Sequence, residues 1–214
     1  MTEDAVREEI MTATYEALCD HGYTDLTAQA IADRTEKSKS WLFYHYDSKD
    51  DLVADFVGYL LERFEARLAE VDDQPPAVRL ATFIDWYLLE MDDDRRAFHT
   101  AVLELQAQAP YDERFREQLR ESDDRLRETL ERILEDGIEA DQFRDHDSDE
   151  MAKLLLTTLD GARVRQLTTG RETYLTDLKR TMIDGIIEGI LEDGVEFPDS
   201  CIDEQTGVLE VRHD

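Results

Sequence analysis

Residues 27–52 read TAQAIADRTEKSKSWLFYHYDSKDDL, and the fold turns on this stretch. Ala28, Ile31 and Ala32 put small and apolar groups on one face of a short helix. Thr27 stands just before them, where a side-chain oxygen accepts from the orphan amides of a first turn. Arg34-Thr35-Glu36-Lys37 breaks the pattern. Ser38 then offers a second N-cap, and Lys39–Tyr46 reads as a second helix with Leu42 and Tyr46 on its inward face. Lys39, Ser40, Trp41, Phe43, Tyr44 and His45 are left over the remaining surface. A helix crowded with exposed aromatic and basic groups, following a short helix and a sharp turn, suits the major groove of DNA. Asp47-Ser48-Lys49-Asp50 starts a long third element, with Ser48 as its cap and Asp50 and Asp51 at its positive end.

At these residues the segment resembles the DNA-binding domain of the TetR/AcrR family of transcriptional regulators. Thr27, Ile31, Ala32, Ser38, Leu42, Lys49 and Leu52 fall in the family's register, as do the aromatics of Phe43-Tyr44-His45-Tyr46. Two positions depart. The family's Gly-Val in the turn is Glu36-Lys37, and Phe43 stands where the family has a Tyr, often a phosphate contact. The resemblance implies an all-α fold: a three-helix helix-turn-helix domain over 1–50, a six-helix ligand-binding and dimerisation bundle over 51–194, and a tail over 195–214. The DNA-binding residues are then Thr27, Lys37, Lys39, Ser40, Trp41, Phe43, Tyr44, His45 and Lys49, with Lys49 against phosphate. From LELQAQAP (103–110) to GIEADQFR (137–144) the chain resembles the C-terminal domain of the BetI-like branch.

Composition supports a folded chain with an unusual surface. At 214 residues and 41% hydrophobic it can bury a core, and four prolines and nine glycines leave room for long helices. Fifty-three acids against 24 bases give a net charge of −29, which repels DNA. Only Lys37, Lys39, Lys49, Lys153 and Lys179 are lysines; the other nineteen bases are arginine, and three of these five lysines fall in the reading head. From Asp33 to Lys49 the balance is four bases to three acids, so repulsion is relieved where phosphates must approach. The overall composition resembles that of extreme halophiles. No apolar run is long enough for a membrane span, and no leader pattern stands at the N-terminus. Cys19 and Cys201 are far apart, which suits reduced thiols in a cytoplasmic protein.

Helical periodicity continues along the chain. Glu3–His21 is a first helix, closed by Gly22 as a left-handed cap. After the helix begun at Ser48, helices are expected over Ala77–Met91, Arg95–Gln108, Asp112–Ile138, Asp149–Leu167 and Tyr174–Leu191. The last is apolar over too wide an arc to cover one core. With the helix before it, it points to a homodimer through Leu159, Val164, Met182, Ile183, Ile186 and Ile190. Gly161, Gly185 and Gly189 permit close helix approach there. Val208–Val211 reads as a strand or a loose tail.

No nucleotide-binding, nucleophile-elbow or metal motif is present; the lone Glu-x-x-His, Glu210–His213, is not expected to hold a metal. Neither a cofactor nor a catalytic residue is expected. The family resemblance implies a small-molecule pocket among the fifth to eighth helices, apolar with a few polar groups. Its candidates are Trp86, Tyr87, Met91, Leu103, Phe115, Leu119 and Leu159, which equally suit a plain core, and His99, whose alternative is an ordinary core or surface histidine. The reading is a ligand-responsive regulator, most often a repressor in this family, on a palindromic double-stranded DNA operator. An adaptor that has lost DNA binding is the rival, motivated by Glu36 and the charge. An enzyme on a helical bundle is a second, which the missing catalytic cluster disfavours.

Overall fold

The computed structural model describes residues 3–35, 37–88, 93–171 and 173–198. Most of them are helical: α1 Glu3–His21, α2 Ala28–Ala32, α3 Lys39–His45, α4 Lys49–Ala69, α5 Pro76–Tyr87, α6 Asp93–Gln108, α7 Glu113–Glu139, α8 Ser148–Thr169 and α9 Tyr174–Met182. The last continues through a π-helical turn, Ile183–Ile187, into a final turn, Glu188–Ile190. Among the described residues there is no strand, only an isolated bridge between Phe143 and Leu191. The all-α architecture expected above is the one found.

The helices sort into two compact units. The first holds α1–α3, α4 up to Arg63, α6, and α7 up to Ser122; the second holds the remainder of α4 and α7 with α5, α8 and α9. Thus α4 and α7 each begin in one unit and end in the other.

In the first unit, α1 buries Ile10, Met11, Ala13, Ala17 and Leu18, and packs along α6. Gly22, at φ 68°, closes α1 in the left-handed region that glycine enters without strain. Each cap read from the sequence forms. Thr27 Oγ1 accepts from the Ala30 amide at 3.1 Å, and Ser38 Oγ accepts from Trp41 at 3.3 Å. Ser48 and Asp51 form a reciprocal pair at the start of α4: the Asp51 amide donates to Ser48 Oγ at 3.0 Å, and Ser48 Oγ donates to Asp51 Oδ2 at 2.7 Å.

In the second unit, α5 is shorter than expected, ending at Tyr87; Met91 lies outside the described residues. Its first amide, Ala77, donates to Gln142 Oε1 at 3.0 Å. Arg79 bridges Asp136 at 2.6 Å and Asp72 at 3.1 Å, and Lys179 reaches the buried carboxylate of Asp85 at 2.5 Å. α8 runs to Thr169 and closes on Gly170 at φ 64°. The tail strand or loop expected over Val208–Val211, with Cys201, lies outside the described residues.

The π turn changes the register of the last helix. Uniform α periodicity places Ile186 with Ile190. One extra residue in the turn brings Met182, Ile187 and Ile190 to the buried side instead, with Ile183 and Ile186 only half-buried.

Gly137 marks the tightest approach. An added Cβ would stand 2.0 Å from Cδ2 and 2.8 Å from Cγ of Phe143, a fully buried ring. The ring has no room to retreat, because the amides of Gln142 and Phe143 both donate to Gly137 O, and Phe143 bridges to Leu191. A Gly137→Ala variant is expected to lose about 1–3 kcal/mol through overpacking, despite alanine's better helix propensity. Thermal unfolding should show Tm lowered by roughly 2–4 °C per kcal/mol. An unchanged or raised Tm would mean that the ring moves freely.

Candidate nucleic-acid interface

α3 is a seven-residue helix with one buried anchor, Leu42. Its first turn is fixed by Ser38 and its end by Tyr46, which leaves the helix in extended conformation. The Tyr46 hydroxyl donates to Asp55 Oδ2 at 2.6 Å, and Asp55 Oδ1 accepts from Arg7 Nη2 at 2.9 Å. Burial, then the Asp55 carboxylate, pushes the Tyr46 phenol well above its ordinary pKa, so it remains a donor. Arg7 also reaches Glu62 at 2.7 Å, and Arg63 reaches Glu8 at 3.0 Å. This network fastens α3 to α1 and α4, and of its members only Tyr46 was singled out in the sequence.

The outward face of α3 is left to solvent. Tyr44 is 85% exposed and Phe43 44%. Lys37, Lys39, Ser40 and His45 are exposed too, while Trp41 is half-buried, its ring edge-on to His45 at 5.0 Å. Lys37 Nζ lies 6.0 Å from the Trp41 ring and Lys39 Nζ 5.6 Å from the Phe43 ring. Among the described residues, no carboxylate oxygen stands within 4.0 Å of either ammonium. Elsewhere the basic groups are largely paired: Arg7, Arg63, Arg114, Arg125 and Arg127 all meet acids. Thr27 is exposed, but its hydroxyl serves the Ala30 amide. Thr35 holds the turn, its Oγ1 accepting from the Lys37 amide at 3.1 Å; Glu36 is outside the described residues.

Lys49 is more enclosed than Lys37 and Lys39. Its ammonium sits 4.5 Å from the Tyr23 ring centroid and 3.4 Å from the Tyr23 carbonyl oxygen. Its side chain is only 26% exposed. The group therefore joins the turn after α1 to the start of α4, and a phosphate would share it with Tyr23. The same corner is clamped from two further helices of this unit. Glu104 on α6 accepts from the Thr24 amide at 3.0 Å. Arg114, at the start of α7, meets Asp51 at 2.9 Å, Asp112 at 2.8 Å and Asp50 at 3.6 Å. Ser48 first, and then Arg114, holds the Asp51 carboxyl below its usual range.

The expected pocket residues divide between the units. His99, Leu103, Phe115 and Leu119 belong to the first, and Trp86, Tyr87 and Leu159 to the second. Phe115 is a core residue, edge-on to Tyr23 at 5.6 Å, and Leu159 is fully buried. The first unit has an apolar void between α1, α4 and α6, lined by Leu18, Val53, Phe56 and Leu105 among others; at about 10 Å³ it holds a single water at most. The second unit gathers charge that the sequence reading passed over. The Tyr87 hydroxyl donates to Asp160, and the Arg163 guanidinium lies 5.7 Å from the Tyr87 ring centroid. Burial raises the pKa of both Tyr87 and Asp160, and lowers that of Arg163. Asp160 and Arg163, three apart within an apolar run, were the available signal.

The expected dimer residues divide as well. Leu159, Met182 and Ile190 are buried within the subunit, spent on its own core, whereas Val164 stays exposed. Leu154, not foreseen, is 48% exposed on the same helix.

Helix-turn-helix geometry in one unit, in a chain with a second helical unit, is the arrangement of a regulator that reads DNA. Residues 10–56 match the model of the tetR family of bacterial regulatory proteins, and residues 76–192 match the C-terminal domain of BetI-type transcriptional repressors. A TetR transcription regulator from Haloarcula marismortui is similar in structure, with 38% identity, a TM-score of 0.78, and coverage of 87% of this chain and 98% of that one. The transcriptional repressor AcnR of Corynebacterium glutamicum is 28% identical over 182 residues, 85% of this chain and 92% of that protein. A transcriptional regulator from Saccharomonospora viridis, solved in complex with choline, shares the fold at 22% identity and a TM-score of 0.72, covering 89% of this chain and 100% of that one. The chain belongs to the TetR family of ligand-responsive, DNA-binding transcriptional regulators.

Proposed function

We propose that the chain is a repressor that binds a palindromic operator as a homodimer and leaves it when a small molecule enters the C-terminal half. The observation that carries this is the outer face of α3: an almost fully exposed Tyr44, with the Lys37 and Lys39 ammonium groups against Trp41 and Phe43 and, among the described residues, no carboxylate oxygen within 4.0 Å of either, in a chain of net charge −29. Lys39, Ser40, Tyr44 and His45 read or touch the major groove; Lys37 and Lys49 meet phosphate. The functional division is then a DNA-reading domain over 1–50, an effector and dimerisation domain over 51–194, and a tail. Since α4 and α7 both pass from the first compact unit to the second, they are the routes by which an effector alters the heads. The reading assigns no catalysis to the chain and places it in the cytoplasm, with its DNA.

Selection from random duplexes, in molar KCl, tests it. The wild type should enrich a two-fold symmetric sequence with half-sites about 10 base pairs, or a multiple, apart. A Tyr44→Ala variant should lose about tenfold or more in affinity, as removal of one DNA-reading side chain costs roughly 1–3 kcal/mol. Its Tm should be unchanged, because the side chain touches no core. A Lys49→Ala variant should lose affinity evenly across sequences and also lower Tm, since it unties Tyr23. If nothing is enriched at any salt concentration while small-molecule binding persists, the chain is an adaptor instead.

A further inference from the structure

We infer that Arg163, set against the ring of Tyr87 in the second unit, anchors the carboxylate of a small acidic effector. This rests on the reading of the chain as effector-controlled. Arg163 Nη1 is shut from solvent and has no hydrogen-bond partner. Among the described residues no carboxylate oxygen lies within 4.0 Å of the guanidinium. Asp160, one turn earlier on α8, accepts the Tyr87 hydroxyl instead. The unit does not treat its other enclosed cations in this way: the buried Arg79 has Asp72 and Asp136, and the half-buried Lys179 has Asp85. A buried charge without a partner is destabilising, and it persists where something else completes it.

The chemistry of the missing partner follows from what is left open. Arg163 Nη1 is a donor, so a ligand that completes it brings an acceptor. A guanidinium presents its N–H groups as a planar fork that matches a carboxylate in two bonds. A quaternary ammonium is disfavoured, because the aromatic face it would occupy already carries the positive Arg163. The surroundings are apolar: Phe83 stacks parallel to Tyr87 at 6.0 Å, and Phe64 meets it edge-on at 6.4 Å. An acid with a hydrocarbon body fits such a wall better than a sugar or a polyol. Asp160 is the opposing charge nearest in sequence, and the hydroxyl of Tyr87 caps it.

The test uses the full chain in molar KCl, with hexanoate, benzoate and succinate as acidic probes and choline as the cationic one. Titration calorimetry should show at least one acid binding the wild type, and Arg163→Gln should weaken it about tenfold or more. Equal binding to R163Q, binding of choline alone, or no binding of any acid at millimolar concentration would overturn the proposal. Folding is checked with Arg163→Met in the absence of probe. If Arg163 waits for a ligand, replacing it with an apolar chain should raise Tm by a few degrees. A fall in Tm of that size would assign it to the core and overturn the proposal too. Operator binding is followed in parallel by fluorescence anisotropy. An acid that binds through Arg163 without changing operator affinity supports the site and refutes effector control.

Discussion

A Gly161→Glu, Val164→Glu double variant should run as a monomer and lose operator affinity by two or more orders of magnitude. Both residues face out of α8, where Val164 is 37% exposed and Leu154 48%. A Cβ added at Gly161, Gly185 or Gly189 would meet nothing within 4 Å, so the subunit itself has no need of glycine at these three places. Bare helix backbone flanked by uncovered Leu154 and Val164 is what close approach of a second copy requires. In a two-fold dimer the same patch meets itself, so two substitutions bring four carboxylates together. Each must be desolvated without a partner, at a cost of several kcal/mol. Within the protomer the changes are mild: a helical glycine becomes a residue of better helix propensity, worth roughly 0.5–1 kcal/mol. Light scattering should therefore report monomers while circular dichroism and Tm report an intact helical fold. Separating the two heads removes an effective concentration of order millimolar, which corresponds to a loss of about 10²–10⁴ in affinity. A dimer that survives at micromolar protein would move the interface off α8.

The contrast with Ile186 and Ile190 shows why part of the site was legible in the sequence and part was not. The reading head is short-range in its logic. Thr27, Ser38 and Ser48 cap helices two or three residues away, Gly22 needs only its own φ, and Leu42 is the one apolar residue of α3 facing in. Such features depend on neighbours a few positions off, and residue order displays them. The dimer face depends on phase. One extra residue in the Ile183–Ile187 turn rotates the end of α9, so Ile190 goes to the core, and nothing in the composition of IDGII announces it. Lys49 was read as a phosphate contact, and its second partner Tyr23, twenty-six residues earlier, was not visible in residue order. Arg163 and Asp160 are further still from inference, because what distinguishes them is a bond that is not made between them.

Salt should act on this repressor less than on an ordinary one. Counterion release gives a slope near −0.9 in log affinity per neutralised phosphate. With Lys37 and Lys49 meeting phosphate in each head, a dimer neutralises about four phosphates, for a slope of about −3.6. Raising KCl fourfold, from about 0.5 to about 2 M, would then cost roughly 150-fold. Two features oppose that loss. Net charge −29 per chain repels DNA, and as the Debye length falls to about 3 Å at 1 M the repulsion is screened while interactions at bonding distance remain. Much of the DNA-facing surface is also indifferent to salt, since Tyr44, Phe43, Trp41 and Ser40 carry no charge. The arginines do little to restore the slope, because Arg7, Arg63, Arg114, Arg125 and Arg127 are bound to the chain's own acids. We therefore expect affinity to fall less than about tenfold over that range, or to rise, well short of the counterion-release figure. Anisotropy titrations across the series, with circular dichroism at each point, measure it. Low salt should also loosen the fold, because the carboxylates then repel one another unscreened. A fall of about a hundredfold or more with the helices intact throughout would mean that phosphate neutralisation dominates after all. The acidic surface would then have no part in setting the conditions under which the repressor binds.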